Sequence, residues 1–209
     1  MYPSIFTDEL KKDFPQALPI CKSWGLDHVD LRGLIFGKAF ENLTAEELAE
    51  VKRLLDEHGM QIGCLQSSLA KVHLPGEERQ RAEREKLEGV IRAADALGCR
   101  LVRAFFFWQP KEDEAGQLAV RPDMLQQVLT MFAPLAQRAK EAGLALAFEN
   151  CGVTTDEVAA VVDALGVPEW GLAWDVSNGW MSPERQANET DYIVANARRA
   201  RCVHVKAVR

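Results

Sequence analysis

The sequence lacks the segments that place a protein in a membrane or send it out of the cell. No apolar run approaches the roughly 18 residues that a membrane span needs. The first ten residues carry no basic stretch followed by an apolar one, as a signal peptide would. The five cysteines form no CxxC pair, which argues against a disulfide framework and a structural zinc knuckle. We therefore expect a reduced, soluble, cytoplasmic protein with no membrane partner.

Positive charge is also scarce in this chain. Lys and Arg number 25 against 31 for Asp and Glu, and the formal net charge is −6. Broad binding to a phosphate backbone needs a basic surface, so nucleic acid is not expected as a partner. Only a local basic groove stays open as an alternative.

Glycine loops for phosphate binding are absent as well. The 209 residues contain neither GxGxxG nor GxxxxGK[ST], which a doubly wound nucleotide-binding sheet would carry. What recurs is an amphipathic helix, a glycine and a short apolar strand. Three helix starts are marked by cap pairs: Thr44 with Glu47, Thr154 with Glu157, and Ser182 with Pro183. The predicted strands, the first of them weak, cover residues 3–7, 27–32, 61–67, 100–107, 144–150, 170–175 and 201–207.

Strands that alternate with helices predict a parallel sheet, either doubly wound or closed into a barrel. In the strand at 27–32, Val29 and Leu31 would face the helices and leave Asp30 and Arg32 facing inward. Later strands repeat this pattern and send an ionisable side chain toward one rim, as at the C-terminal rim of a barrel. We therefore predict an α/β fold, a TIM-type (β/α)8 barrel, as a single domain over residues 1–209.

Three strand ends carry the chemistry: Glu149, Asp175 and His204. The spacings are 175 − 149 = 26 and 204 − 175 = 29 residues, about one strand–helix unit each, so the three would be neighbours around the rim. Each alone has an ordinary explanation, as an ion-pair partner, a turn cap or a core histidine. Together they predict one divalent metal ion, and two carboxylates with an imidazole favour Mn²⁺, Zn²⁺ or Co²⁺ over Ca²⁺ or Mg²⁺.

Several strings resemble the motif blocks of the xylose isomerase-like TIM barrel superfamily, which includes sugar phosphate isomerases and epimerases. FENCGVTT, LAWDVSNG and HVKA look like its "E-N-H-G", "D-x-G-N/H" and "H-x-K-D" blocks. Residues 30–32 and 97–103 are similar to its "E-L-R" and "L-G-x-x-x-V-R" strands. The resemblance covers nearly the whole chain. Cys151 and Ala207 depart from it, standing where many relatives have His and Asp.

The resemblance implies one divalent metal held by Glu, Asp, His and a second Glu. Glu149, Asp175 and His204 match the first three, and no residue matches the fourth, which belongs to an eighth strand. With 209 residues against the roughly 250 usual for this fold, the barrel is expected to be truncated after the seventh strand and to lack its last strand–helix unit. Such a barrel would leave open strand edges, so we expect a homo-oligomer or a longer native chain.

The implied activity is sugar or sugar-phosphate isomerisation or epimerisation, by proton transfer alpha to a carbonyl. Glu149 is the candidate catalytic base, and Asn178, Lys206, Arg32 and Arg103 are the candidate substrate-binding residues. Both arginines could instead form internal ion pairs with Asp30 or Glu149.

Two other functions stay in view. Endonuclease IV-like cleavage needs a His-rich zinc site, which four histidines and an acidic chain disfavour. A truncated barrel could also be catalytically impaired or non-enzymatic, and could bind a small ligand or complete itself by oligomerisation.

Overall fold

A computed structural model describes residues 1–111, 114–180 and 189–206. Ser182 and Pro183 of the third predicted helix start and the departure at Ala207 lie outside these residues. Six strands form the main sheet: β1 His28–Leu31, β2 Gln61–Gln66, β3 Leu101–Ala104, β4 Ala145–Glu149, β5 Gly171–Asp175 and β6 Ala200–His204. The helices are α1 Phe14–Ser23, α2 Ala45–Glu57, α3 Glu77–Leu97, α4 Pro122–Glu141, α5 Thr155–Leu165, α6 Val176–Trp180 and α7 Glu189–Arg199.

The sheet follows chain order from β1 to β6, and every neighbouring pair is parallel. The weak strand predicted at residues 3–7 is reduced to a single parallel bridge from Phe6 to Asp30, next to a hydrogen bond from Asp30 N to Ile5 O of 2.9 Å. A short antiparallel hairpin, Leu34–Ile35 with Lys38–Ala39, follows β1. The predicted α/β fold is confirmed, with six strands that curl into part of a TIM-type barrel.

Local signals set the ends of several helices. Thr44 and Thr154 form complete capping boxes with Glu47 and Glu157 at the starts of α2 and α5, as predicted. Gly98 ends α3 with φ of +68°, in the left-handed region that is costly for residues with a Cβ. These ends return the chain to the next strand with few connecting residues.

The core lies between the outer face of the sheet and the helices. Phe148 of β4 packs edge-on against Phe132 of α4, with ring centroids 5.7 Å apart. Because side chains alternate along a strand, Phe148 directs the next residue, Glu149, to the barrel interior. The same alternation separates Trp174 from Asp175 in β5. Packing of the outer face thereby decides which ionisable groups point inward.

Among the helices of the described ranges, none combines the length and the apolar character that crossing a bilayer requires.

Candidate metal and active site

Three side chains converge at the C-terminal ends of β4, β5 and β6. Glu149, Asp175 and His204 each offer a ligand atom, and these atoms lie within 4.8 Å of one another. All three residues are buried. Register explains the convergence, since Glu149 pairs with Ala173, two residues before Asp175, while Asp175 pairs directly with His204.

Glu149 is held in its ionised form. Its Oε2 accepts a hydrogen bond from Arg103 Nη1 at 2.9 Å, and its Oε1 lies 3.7 Å from His204 Nδ1. Burial alone would raise the pKa of Glu149, but the neighbouring His204 and the charge of Arg103 lower it below its ordinary value. The carboxylate is therefore ready to act as a ligand.

His204 is held between Glu149 and a thiol. Its Nε2 lies 3.9 Å from Cys202 Sγ, on the ring edge opposite Nδ1. Burial opposes a charge here, yet Cys202 and Glu149 raise the pKa of His204 to about 9. The neighbouring Cys64 and His204 lower the pKa of Cys202 below its ordinary value, against the effect of burial. Before any cation binds, the imidazole is therefore protonated at neutral pH, and it must lose that proton to become a ligand.

Asp175 is fixed through both its main chain and its carboxylate. Asn150 accepts from Asp175 N at 2.7 Å with its Oδ1 and donates to Asp175 O at 2.9 Å with its Nδ2. The carboxylate Oδ1 accepts from Asn178 N at 2.9 Å, and Oδ2 lies 2.5 Å from Lys206 Nζ. Asn150 thus ties the ends of β4 and β5 together and sets the spacing between the two carboxylates.

Arg103 reaches the site as the partner of Glu149. Besides that contact, its Nε donates to Ser67 O and its Nη2 to Gln66 O, both at 3.0 Å. All three bonds go to protein acceptors. The sequence left two roles open for Arg103, substrate binding and an internal ion pair. The structure contains the ion pair, with Glu149.

Arg32 directly follows the C-terminal end of β1. Its Nε is 3.0 Å from both carboxylate oxygens of Asp8, and its Nη2 contacts Glu9. Its guanidinium carbon stands 4.2 Å from the centroid of the Phe6 ring. Its ion pairs are therefore with Asp8 and Glu9 rather than with Asp30 or Glu149.

Lys206 and Asn178 lie beside the metal-ligand candidates. Lys206 Nζ contacts Asp175 and lies 3.4 Å from Asn178 Oδ1. Asn178 Nδ2 is buried and has no hydrogen-bond partner within the described part of the chain. A buried donor without an acceptor is costly, so this amide is suited to an oxygen atom supplied by a ligand.

Two contributors were not anticipated from the sequence. Asn150 was visible only as the residue after Glu149, although a buried amide directly behind a candidate ligand is a usable signal. Cys202 lies two residues before His204 and therefore shares its face of β6. The two-residue spacing between Cys202 and His204 is the sequence signal that predicts this contact.

The family model described as xylose isomerase-like TIM barrel matches residues 18–209. The chain belongs to the xylose isomerase-like TIM barrel family. No curated protein sequence matches it. Membership agrees with the resemblance of the motif strings and with the curled parallel sheet.

Solved structures place the fold among other xylose isomerase-like barrels. The chain is similar to a probable 3-DHS dehydratase from Bacillus anthracis, with TM-score 0.77, 14% identity, and coverage of 100% of this chain and 74% of that one. It is similar to 3-keto-D-glucoside 4-epimerase from E. coli, with TM-score 0.67, 14% identity, and coverage of 94% and 74%.

A third similar structure is a xylose isomerase-like TIM barrel protein from Mycobacterium smegmatis in complex with magnesium, with TM-score 0.65, 16% identity, and coverage of 92% and 66%. The chain thus spans between 66% and 74% of the lengths of these three proteins. At such identities the likeness shows the fold.

The donor set fits a divalent cation. Two carboxylates and an imidazole on three neighbouring strand ends give a mixed oxygen and nitrogen shell of the kind that transition metals accept. Burial of two carboxylates in one small space is costly unless positive charge compensates it. Glu149, Asp175 and His204 would hold the ion.

Proposed function

We propose that this chain is a metal-dependent isomerase or epimerase of a sugar or sugar phosphate, which transfers a proton alpha to a carbonyl. The observation that carries the proposal is the convergence of Glu149, Asp175 and His204 within 4.8 Å at one barrel rim. Similarity to an epimerase and to a probable dehydratase supports this class of chemistry.

The bound cation would be Mn²⁺, Zn²⁺ or Co²⁺, and it would stabilise negative charge that develops on a substrate oxygen. Glu149 is the proposed base. Its lowered pKa keeps it ionised across the neutral range, and the same shift makes it a weak base until the substrate is bound. Arg103 sets the direction of its carboxylate by occupying Oε2.

Substrate oxygens would be bound on the open side of this rim. The partnerless Nδ2 of Asn178 can donate to a hydroxyl or carbonyl oxygen, and Lys206 lies beside it with three donors. Arg103 and Arg32, the other two candidates, already pair with Glu149 and with Asp8 and Glu9, so Asn178 and Lys206 are the proposed substrate-binding residues. We place the protein in the cytoplasm and expect no nucleic acid partner.

Metal content and proton exchange test this proposal together. Purified protein should hold near-stoichiometric Mn, Zn or Co, and in D₂O it should catalyse deuterium incorporation at the alpha carbon of a substrate within a panel of ketoses and ketose phosphates. Glu149→Gln should abolish exchange. The matched control is Glu85→Gln, which removes a carboxylate from the exposed face of α3. A protein that stays metal-free after Mn²⁺ addition, and in which Glu149→Gln changes nothing, is not this enzyme.

A second candidate is a barrel that binds a small ligand without catalysis and completes itself by oligomerisation. The outer side of β6 favours it, because Val203 is 39% exposed and Val205, just after the strand, is 85% exposed. Exposed apolar side chains at a strand edge usually become covered. Light scattering of the purified protein should then give a homo-oligomer, and a monodisperse monomer would count against this candidate.

A further inference from the structure

The loop after β2 carries a lysine, Lys71, whose charge no carboxylate within residues 1–111, 114–180 and 189–206 balances directly. Lys71 Nζ lies 3.3 Å from Cys151 Sγ and 4.9 Å from the centroid of the Phe105 ring. Within the described residues these are its polar and aromatic contacts, and neither of them is a carboxylate. Lys71 is also exposed, so its amine is accessible from solvent.

The backbone that presents Lys71 is held in an unfavourable conformation. Ala70 has φ of +58° and Phe107 has φ of +62°, a region that residues with a Cβ seldom adopt. Phe107 N donates to Ala70 O at 2.9 Å, and Ala70 N donates to the buried carboxylate of Glu83 at 2.8 Å. Lys86 in turn balances Glu83 at 2.9 Å. Backbone strain that the surroundings maintain in this way clusters at ligand sites.

This loop brings Lys71 to the mouth of the candidate site. Its neighbour Cys151 comes two residues after Glu149, and the charge of Lys71 contributes to the lowered pKa of Glu149. Glu149 is already paired with Arg103, and Asp175 with Lys206. The ammonium of Lys71 is therefore surplus positive charge at the entrance.

We propose that Lys71 is a specificity-determining residue that binds an anionic oxygen group of the substrate, a phosphate or a carboxylate, between Phe105 and Cys151. This inference rests on the proposed function, since the reacting carbons of that substrate would lie against Glu149. It adds a preference for anionic over neutral substrates, through a residue outside the matched motif blocks.

Cys151 offers a test that needs no knowledge of the substrate. Iodoacetate and iodoacetamide alkylate the same thiolate with loss of iodide, but only iodoacetate carries a carboxylate. Their rate ratio at Cys151, measured by peptide mass spectrometry, cancels any change in thiol ionisation. Replacement Lys71→Met should lower the iodoacetate-to-iodoacetamide ratio about fivefold, as expected for one partly exposed ion pair, and Lys71→Arg should keep it.

The control is Lys140→Met, which removes another lysine that lies over a ring, Trp170, at 5.7 Å. Alkylation of Cys151 is then repeated with inorganic phosphate or acetate at equal ionic strength, to identify whether Lys71 binds a phosphate or a carboxylate group. Protection of Cys151 by phosphate alone indicates a phosphate site, and protection by acetate as well indicates a carboxylate site. A ratio that is equal in wild type and Lys71→Met, or no alkylation of Cys151 at all, overturns the inference. Metal content is measured separately. If the proposed function fails, the alkylation ratio at Cys151 still tests the role of Lys71.

Discussion

Removing the guanidinium of Arg103 should destabilise the protein severely, because it uncovers a buried carboxylate. The side chains of Arg103 and Glu149 are 12% and 6% exposed. Three hydrogen bonds of 2.9 to 3.0 Å join the guanidinium to Glu149, Ser67 O and Gln66 O. Breaking a buried pair by deleting one partner costs about 3–5 kcal/mol. Of the positive groups close to the Glu149 carboxylate, His204 at 3.7 Å would stay, so the loss should lie toward the lower end of that range. We expect a loss of this size in the free energy of unfolding of Arg103→Met.

Urea unfolding of the metal-free protein at pH 7 measures this loss. An exposed pair of the same chemistry is the control: Arg138 and Glu88 are 41% and 47% exposed and contact at 2.7 Å. Deleting Arg138 should cost about 0–1 kcal/mol. The two variants remove the same type of side chain from the same type of partner, so the difference between them reports burial together with the two backbone hydrogen bonds that Arg103 adds.

A second variant separates charge from hydrogen bonding. Arg103→Lys keeps one positive charge but loses the fork that reaches Ser67 O and Gln66 O, so its loss should be intermediate. Adding Glu149→Gln to Arg103→Met removes the buried carboxylate that has lost its arginine and should recover about 1–3 kcal/mol. If Arg103→Met costs no more than Arg138→Met, or if Glu149→Gln recovers nothing, the charge argument for this site is wrong.

Three further outcomes are expected. Since His204 has a pKa raised to about 9 and must lose its proton to bind a cation, the apparent Mn²⁺ affinity by calorimetry should rise about tenfold per pH unit below 9. Asn150→Ala should lower the free energy of unfolding by about 2–3 kcal/mol in urea, because the main-chain N and O of Asp175 lose their buried partners. Gly89→Ala, normally stabilising in a helix, should lower the melting temperature, because its Cβ would overlap Glu41 O.

Most of the metal-ligand set could be predicted from strand periodicity. Phe148 before Glu149 and Trp174 before Asp175 predict which side chain of each pair faces the helices. A parallel sheet then brings the strand ends to one rim. The candidate ligands are 26 and 29 residues apart in sequence. The alternation of side chains along each strand, together with strands that follow chain order in the sheet, is enough to make them neighbours.

The contacts outside the strands could not be predicted in this way. Arg32 pairs with Asp8 and Glu9 because the N-terminal turn folds across the mouth, and no local pattern encodes that approach. The position of Lys71 depends on positive φ at Ala70, which tertiary hydrogen bonds maintain against its intrinsic preference. Loop conformations of this kind are decided by packing.

The two cations that face the carboxylates have different tasks. Arg103 is nearly buried, bonds three acceptors and reaches Glu149 from within the sheet, so it cannot leave without loss of structure. Lys206 is 47% exposed and holds Asp175 Oδ2 through a single flexible stem. Among the described residues, Lys206 is the cation that a metal ion would displace from Oδ2. Under the proposed function, Lys206 would then swing toward Asn178, 3.4 Å away, where a substrate oxygen would meet both donors. One lysine would thus balance Asp175 before the metal ion binds and contact the substrate afterwards.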